Sequence, residues 1–258
     1  MLNFWRRLFS GWRDAETTKR EDKPQAFAED KNDLVSEQPT ANDARYTAAT
    51  AADIYRAEHP EEFAAECKMD ETNAEVTYLL TEADKLTDDG DYESALAYYG
   101  QAADLGSVNA MFRIGALYYR GLNPARQKDT QTALAWFHKA AEQGYFYAMY
   151  YIGCMYRLGD GVYQDSAAAV EWFIRAIAHN EKNPLLTSEA MMALGEMFCA
   201  GEGVEQNKKI GMSWYLAAGE AGQTMAAEFV ARAYETGEGL PQNKREAARW
   251  KGKIPAAS

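Results

Sequence analysis

The chain has 258 residues, 39 acidic and 27 basic, with a formal net charge of −12. Nothing in it approaches the roughly 20 consecutive apolar residues of a membrane span, so the sequence predicts a soluble body. A net acidic chain without a basic stripe argues against nucleic acid as a partner, because that binding is dominated by neutralising phosphates.

Residues 1–13, MLNFWRRLFSGWR, hold three arginines and no acid. Wound as a helix, Met1, Leu2, Phe4, Trp5, Leu8, Phe9 and Trp12 fall within one arc of about 160°, opposite Asn3, Arg6, Arg7, Ser10 and Arg13. Such a segment suits a membrane interface: the rings and leucines enter the headgroup boundary while Arg6, Arg7 and Arg13 meet anionic lipid. Insertion in a partner's groove and packing on its own chain are the other two readings. Charges interrupt it and no cleavage site follows, so it is not read as a signal peptide. This reading places the protein in the cytoplasm, peripherally at the inner face of the cytoplasmic membrane.

Residues 14–70 form an acidic linker, expected to be largely disordered; residues 14–75 hold 17 acids against 7 bases. Within it, residues 43–58 and 60–68 have weak helical character, with Asn42 as a cap and Pro60 in a first turn. As a flexible coil the linker spans on the order of 40 Å.

From residue 74 onward the chain repeats. Asp91, Asp129, Asp165, Asn207 and Asn243 read as helix N-caps, and each lies seven positions before Tyr98, Trp136, Trp172, Trp214 or Trp250. The caps are 38, 36, 42 and 36 residues apart. Other columns keep step: Ala110, Ala148, Ala190, Ala226; Gly115, Gly153, Gly195, Ala231; Tyr118, Tyr156, Phe198, Tyr234; Gly121, Gly159, Gly201, Gly237. Self-similarity at this period predicts an all-α, right-handed solenoid of antiparallel helix pairs, the helices about 12 to 14 residues long. The first helix of each pair is expected to end on a left-handed residue at Gly106, Gly144, Asn180 or Gly222. The second helix is expected to turn Ala148, Ile152, Gly153 and Tyr156 toward the first helix of its own pair, the small residues letting the backbones approach. The expected units are 74–128, 129–164, 165–206 and 207–242, with a capping helix at 243–253. A two-residue excess falls around Leu122-Asn123-Pro124 and a six-residue excess, EKNPLL, falls in the third pair. Both are expected in loops on one rim.

The runs ALAWFHKAAEQG, YIGCMYRLGDGVYQD and ALGEMFCAGEGVEQN resemble the Sel1-like repeat family, kin of the tetratricopeptide repeats, over roughly residues 91–253. YLLTEADKLTDDGDYESALAYYGQAA is similar to the opening hairpin of a tetratricopeptide unit. The resemblance implies a non-enzymatic scaffold or adaptor that binds a protein or peptide on its concave surface. It leaves open a dedicated inhibitor or immunity-type partner of a toxin or secretion component. A hydrolase activity has been linked to family members with a cysteine pair in every repeat. This chain has Cys67, Cys154 and Cys199 without such pairs.

Catalytic residues, metal sites, cofactors and a small-molecule substrate are not expected. His59, His138 and His179 are isolated from one another, and no nucleophile elbow, Walker loop or dinucleotide fingerprint occurs. Asp160, Glu202 and Glu238 recur at one turn position and read as a solvated ladder; attraction of a basic partner is the alternative. The candidate recognition residues are Tyr145, Tyr147 and Tyr151. Tyr147 aligns with Asn109, Glu189 and Met225, and Tyr151 with Arg113, Ala193 and Phe229. The fold therefore leaves both columns free to vary. Two rings one turn apart on a helix face suit an interface hot spot, and covering of apolar surface between layers is the competing role.

Overall fold

The computed structural model describes residues 48–60, 74–180 and 184–254. Residues 1–47, 61–73, 181–183 and 255–258 lie outside them, and with them the N-terminal segment 1–13 and most of the expected linker 14–70. Among the described residues every regular element is a helix: α1 Ala48–Glu58, α2 Ala74–Asp88, α3 Tyr92–Asp104, α4 Val108–Arg120, α5 Thr130–Glu142, α6 Phe146–Leu158, α7 Ser166–His179, α8 Pro184–Ala200, α9 Lys208–Glu220, α10 Thr224–Thr236 and α11 Lys244–Lys251.

The caps start the helices as their chemistry requires. Asp91, Asp129, Asp165 and Asn207 each accept from the backbone N–H three residues on, and Asn243 accepts from those of Arg245 and Glu246. Eight positions after each of the first four caps stands a side chain that becomes core: Tyr99, Phe137, Phe173 and Tyr215, all at most 5% exposed. The glycine column makes room for these rings. A Cβ on Gly153 of α6 would lie 2.8 Å from the Phe173 ring of α7, and Gly115 and Gly195 meet Phe137 and Tyr215 in the same way. Where the ring column ends in Lys251, the glycine column ends in Ala231.

These crossings correct one expectation. The sequence reading turned the second helix's glycine toward its own hairpin partner, but it faces the first helix of the next hairpin. Each of α4, α6, α8 and α10 packs more extensively on the helix that follows than on the one that precedes it. The small residue and the ring lie on facing surfaces of successive hairpins, which brings those backbones close.

The third hairpin departs from the others. Gly106, Gly144 and Gly222 have φ of 90°, 83° and 100°. The residue after each donates to a carbonyl five back, Ser107 to Ala102, Tyr145 to Ala140 and Gln223 to Ala218, which closes the helix end. Asn180 is not left-handed: its φ is −133°, and its N–H bonds only the Ile177 carbonyl. The connection after α7 is longer, so no three-residue turn forces positive φ there. The six-residue excess is also not all loop, since Pro184 opens α8 and makes it 17 residues long against 13 for α6 and α10.

Helix α1 packs on α7 and reaches α9. Ala51 and Tyr55 join the buried core at 4% and 5% exposure, and Arg56 donates Nε and Nη2 to the Ala178 carbonyl at 3.2 and 3.0 Å. The acidic turn residues are paired across hairpins rather than freely solvated. Lys128 bonds Asp160 at 2.5 Å, Arg157 bonds Glu202 and Glu196, and Lys208 bonds Glu238 at 2.7 Å. A lysine or arginine has a carboxylate within reach because the turns of successive hairpins stack.

Candidate functional site

The stack sets successive hairpins against each other, so rings on α4 meet rings on and just before α6. Tyr145 precedes α6, and Tyr147 and Tyr151 lie one turn apart on it. The structure brings all three together. Tyr145 and Tyr147 ring centroids are 5.8 Å apart, and Tyr151 packs at 5.3 Å from Phe137, whose ring lies fully buried below. Tyr147 is 37% exposed; Tyr145 and Tyr151 are half-buried. Tyr151 therefore both covers the layer beneath and presents an edge to solvent.

The residue that joins them is Phe112 of α4. Its ring is 5.2 Å from Tyr145, 5.8 Å from Tyr147 and 5.5 Å from Tyr151, the last edge-on. Sequence reasoning missed it because Phe112 belongs to a different hairpin. The signal was present: its column runs Phe112, Tyr150, Met192, Glu228, as variable as the columns that marked the tyrosines. Tyr119, two turns further along α4, meets Tyr151 at 5.9 Å and 90°. Offset and edge-on arrangements of this kind favour ring pairing beyond simple area burial.

One edge of the cluster is polar. The Tyr119 hydroxyl donates to Asp160 at 2.8 Å, and Lys128 bonds the same oxygen while its Nζ stands 4.3 Å over the Tyr119 ring. Burial works against charge on Asp160, but the bonds from Lys128 and Tyr119 outweigh it and hold its carboxyl below the usual value. Burial raises the phenols of Tyr119 and Tyr150, so both are neutral near pH 7. The surface thus offers ring faces and hydroxyls with its ions already paired. That combination suits an apolar or aromatic segment with hydrogen-bonding groups, as interface tyrosines do.

The other candidates play packing roles. His138 is half-buried: it meets Trp172 edge-on at 5.4 Å, and burial lowers its pKa. Cys154 and Cys199 are half-buried, and burial raises both thiols, which opposes the thiolate a nucleophile or metal ligand needs. Leu2, Phe4, Trp5, Arg6, Arg7, Leu8, Phe9, Trp12 and Arg13 lie outside the described residues. No helix among the described residues is long and apolar enough to cross a membrane.

The profile of the Sel1 repeat family matches residues 89–107, 108–145, 146–181, 188–223 and 224–250. From residue 108 onward its units take in a second helix and the helix that follows it, and so keep together the pairs α4–α5, α6–α7, α8–α9 and α10–α11. The structure is similar to that of a Sel1 repeat protein from Oxalobacter formigenes: 26% identity, TM-score 0.60, covering 80% of this chain and 82% of that one. It is similar also to c5321, a protective antigen present in uropathogenic Escherichia coli strains that displays an SLR fold. There the identity is 23% and the TM-score 0.61 over 81% of this chain, which spans only 43% of that one; the likeness is one of fold. No curated protein sequence matches the chain. Capped helix pairs, glycine-to-ring crossings and a family match over more than half of the residues lead to one assignment: this chain belongs to the Sel1 repeat family.

Proposed function

We propose that this chain is a non-enzymatic scaffold or adaptor that captures a protein segment on the aromatic cluster of Phe112, Tyr145, Tyr147 and Tyr151. The layer of second helices is then its concave, partner-facing side. The observation that carries the reading is the joining of four rings from two hairpins around Phe112, with Tyr147 left 37% exposed in a column where other hairpins place Asn, Glu or Met. Sel1 repeat proteins are typically non-catalytic interaction scaffolds, which agrees with it. The N-terminal segment docks the scaffold at the inner face of the cytoplasmic membrane, through Leu2, Phe4, Trp5, Leu8, Phe9 and Trp12 in the headgroup boundary and Arg6, Arg7 and Arg13 on anionic lipid.

Two measurements test the two halves separately. In pull-downs from native cells, Tyr147→Ala with Tyr151→Ala should lower recovery of the main partner at least ten-fold with circular dichroism unchanged. Undiminished recovery would remove the cluster as the site. In sedimentation with vesicles containing phosphatidylserine, the whole chain should pellet and a chain lacking residues 2–13 should not. Equal pelleting would defeat the membrane half and leave the cluster untouched.

A further inference from the structure

Helix α7 differs from the other first helices along one stripe. Nine positions after the cap, Gly100, His138 and Leu216 are half-buried, whereas Ile174 is 1% exposed. Thirteen positions after it, Asp104, Glu142 and Glu220 are exposed acids, whereas α7 has Ala178 at 4%. Ile174 and Ala178 are one turn apart, so a face that is polar or wet on the other hairpins is apolar and covered on this one. The cover is α1.

The end of α7 differs as well. Asn180 is not left-handed there, and the Arg56 guanidinium of α1 sits on the Ala178 carbonyl with two N–H groups, at the negative end of the helix dipole. Arg56 is itself held by Asp53 at 3.2 Å. Two features of α7, the apolar stripe and the lost acid, are thus matched by one short helix, which also bonds the last turn of α7 through Arg56. The matching pattern on α1 is Ala51, Tyr55 and Arg56, a small residue followed by an aromatic four positions later and arginine next to it.

We infer that the face of α7 beside α9 is a receptor site for an amphipathic helix, that α1 is its resident ligand, and that a partner helix carrying the same small-aromatic-arginine pattern displaces α1. The mode is a helix laid on an apolar groove. Specificity comes from the arginine, because a helix without it forgoes both N–H groups that Arg56 places on the Ala178 carbonyl. The resident helix has the advantage of its tether, since the residues linking α1 to α2 hold it near its site at an effective concentration of order millimolar. The site is separate from the aromatic cluster, which lies on the second helices.

The test uses the full chain and a fluorescein-labelled peptide of residues 48–60 as the competing helix. Wild type should bind the peptide at least ten-fold more weakly than a chain carrying Tyr55→Ala and Arg56→Ala, in which the resident helix is weakened. The peptide bearing the same two substitutions should bind neither chain. Tyr147→Ala should change none of these affinities. Equal affinity of both chains for the natural peptide, failure of the doubly substituted chain to bind it, or undiminished binding of the substituted peptide would each overturn the inference. Hydrogen exchange checks that α7 and α9 stay protected in the doubly substituted chain; if that chain does not fold, Ala51→Glu replaces it in the same comparison, with the same outcomes deciding.

Discussion

At the scale of single residues, glycines in this chain do two different jobs that one pair of substitutions separates. Gly211 in α9 faces α8: a Cβ there would overlap Cys199 Sγ and stand 2.8 Å from the Gly195 carbonyl oxygen, which is backbone and cannot rotate away. Gly100 in α3 has nothing within 4 Å of an added Cβ. Alanine gains about 1 kcal/mol of helix propensity at either position, but overpacking at Gly211 costs about 1–3 kcal/mol. Gly211→Ala should therefore lower the urea midpoint and Gly100→Ala should raise it, and shifts of the same sign would show that the α8–α9 crossing is not tight. A column of small residues is visible in sequence. Which neighbour each one meets is not, because the helix on either side satisfies the same spacing, and so the glycines were turned toward the wrong partner. Phe112 was overlooked for a related reason: its value depends on the adjacent hairpin, not on its own column.

At the scale of elements, caps were the most legible feature, since an N-cap is chemistry within four residues. All five assigned caps make their bonds. The end of α7 was not legible, because Asn at a turn suggests left-handed backbone unless another part of the chain supplies the cap, and Arg56 lies 122 residues from Ala178. The two kinds of cap also predict a pH dependence. Hydrogen bonds from Ser94 to Asp91 and from Thr132 to Asp129 hold both carboxyls below their usual value of 3.8. A depressed folded value means the stabilisation is complete above the unfolded pKa and is lost as pH falls through the folded one. Acid below about pH 4 should thus loosen α3 and α5, while the amide caps Asn207 and Asn243 do not titrate. Asp129→Asn keeps an acceptor and removes the titration, so it should shift the acid-unfolding midpoint to lower pH with little effect at pH 7. An unchanged acid midpoint would mean the Asp129 carboxylate does not contribute.

At the scale of the whole molecule, the stack was readable because its stabilising contacts are local in sequence and repeat. Its interruption by α1 was not, since an apolar stripe on α7 reads equally well as core. Burial is divided among three clusters: one over α2–α4, a central one that includes α1 and α5–α8, and one over α9–α11. In a solenoid each layer touches only its neighbours, so stability is close to a sum of unit and interface contributions, and damage should stay where it is made. Trp250 tests this. It is 2% exposed on α11, its ring lies where a Cβ on Gly219 would come within 2.7 Å, and it closes the last cluster beside Tyr215 and Val230. Replacing a buried tryptophan by alanine costs about 3–5 kcal/mol in a compact core. Here Trp250→Ala should lower hydrogen-exchange protection in α9, α10 and α11 by orders of magnitude and leave α2, α3 and α4 at wild-type values. Loss spread evenly from α2 to α11 would show that the three clusters unfold as one body. A protected N-terminal half with the last hairpins open would instead mean that this scaffold can loosen one end while the aromatic cluster on α4 and α6 stays intact.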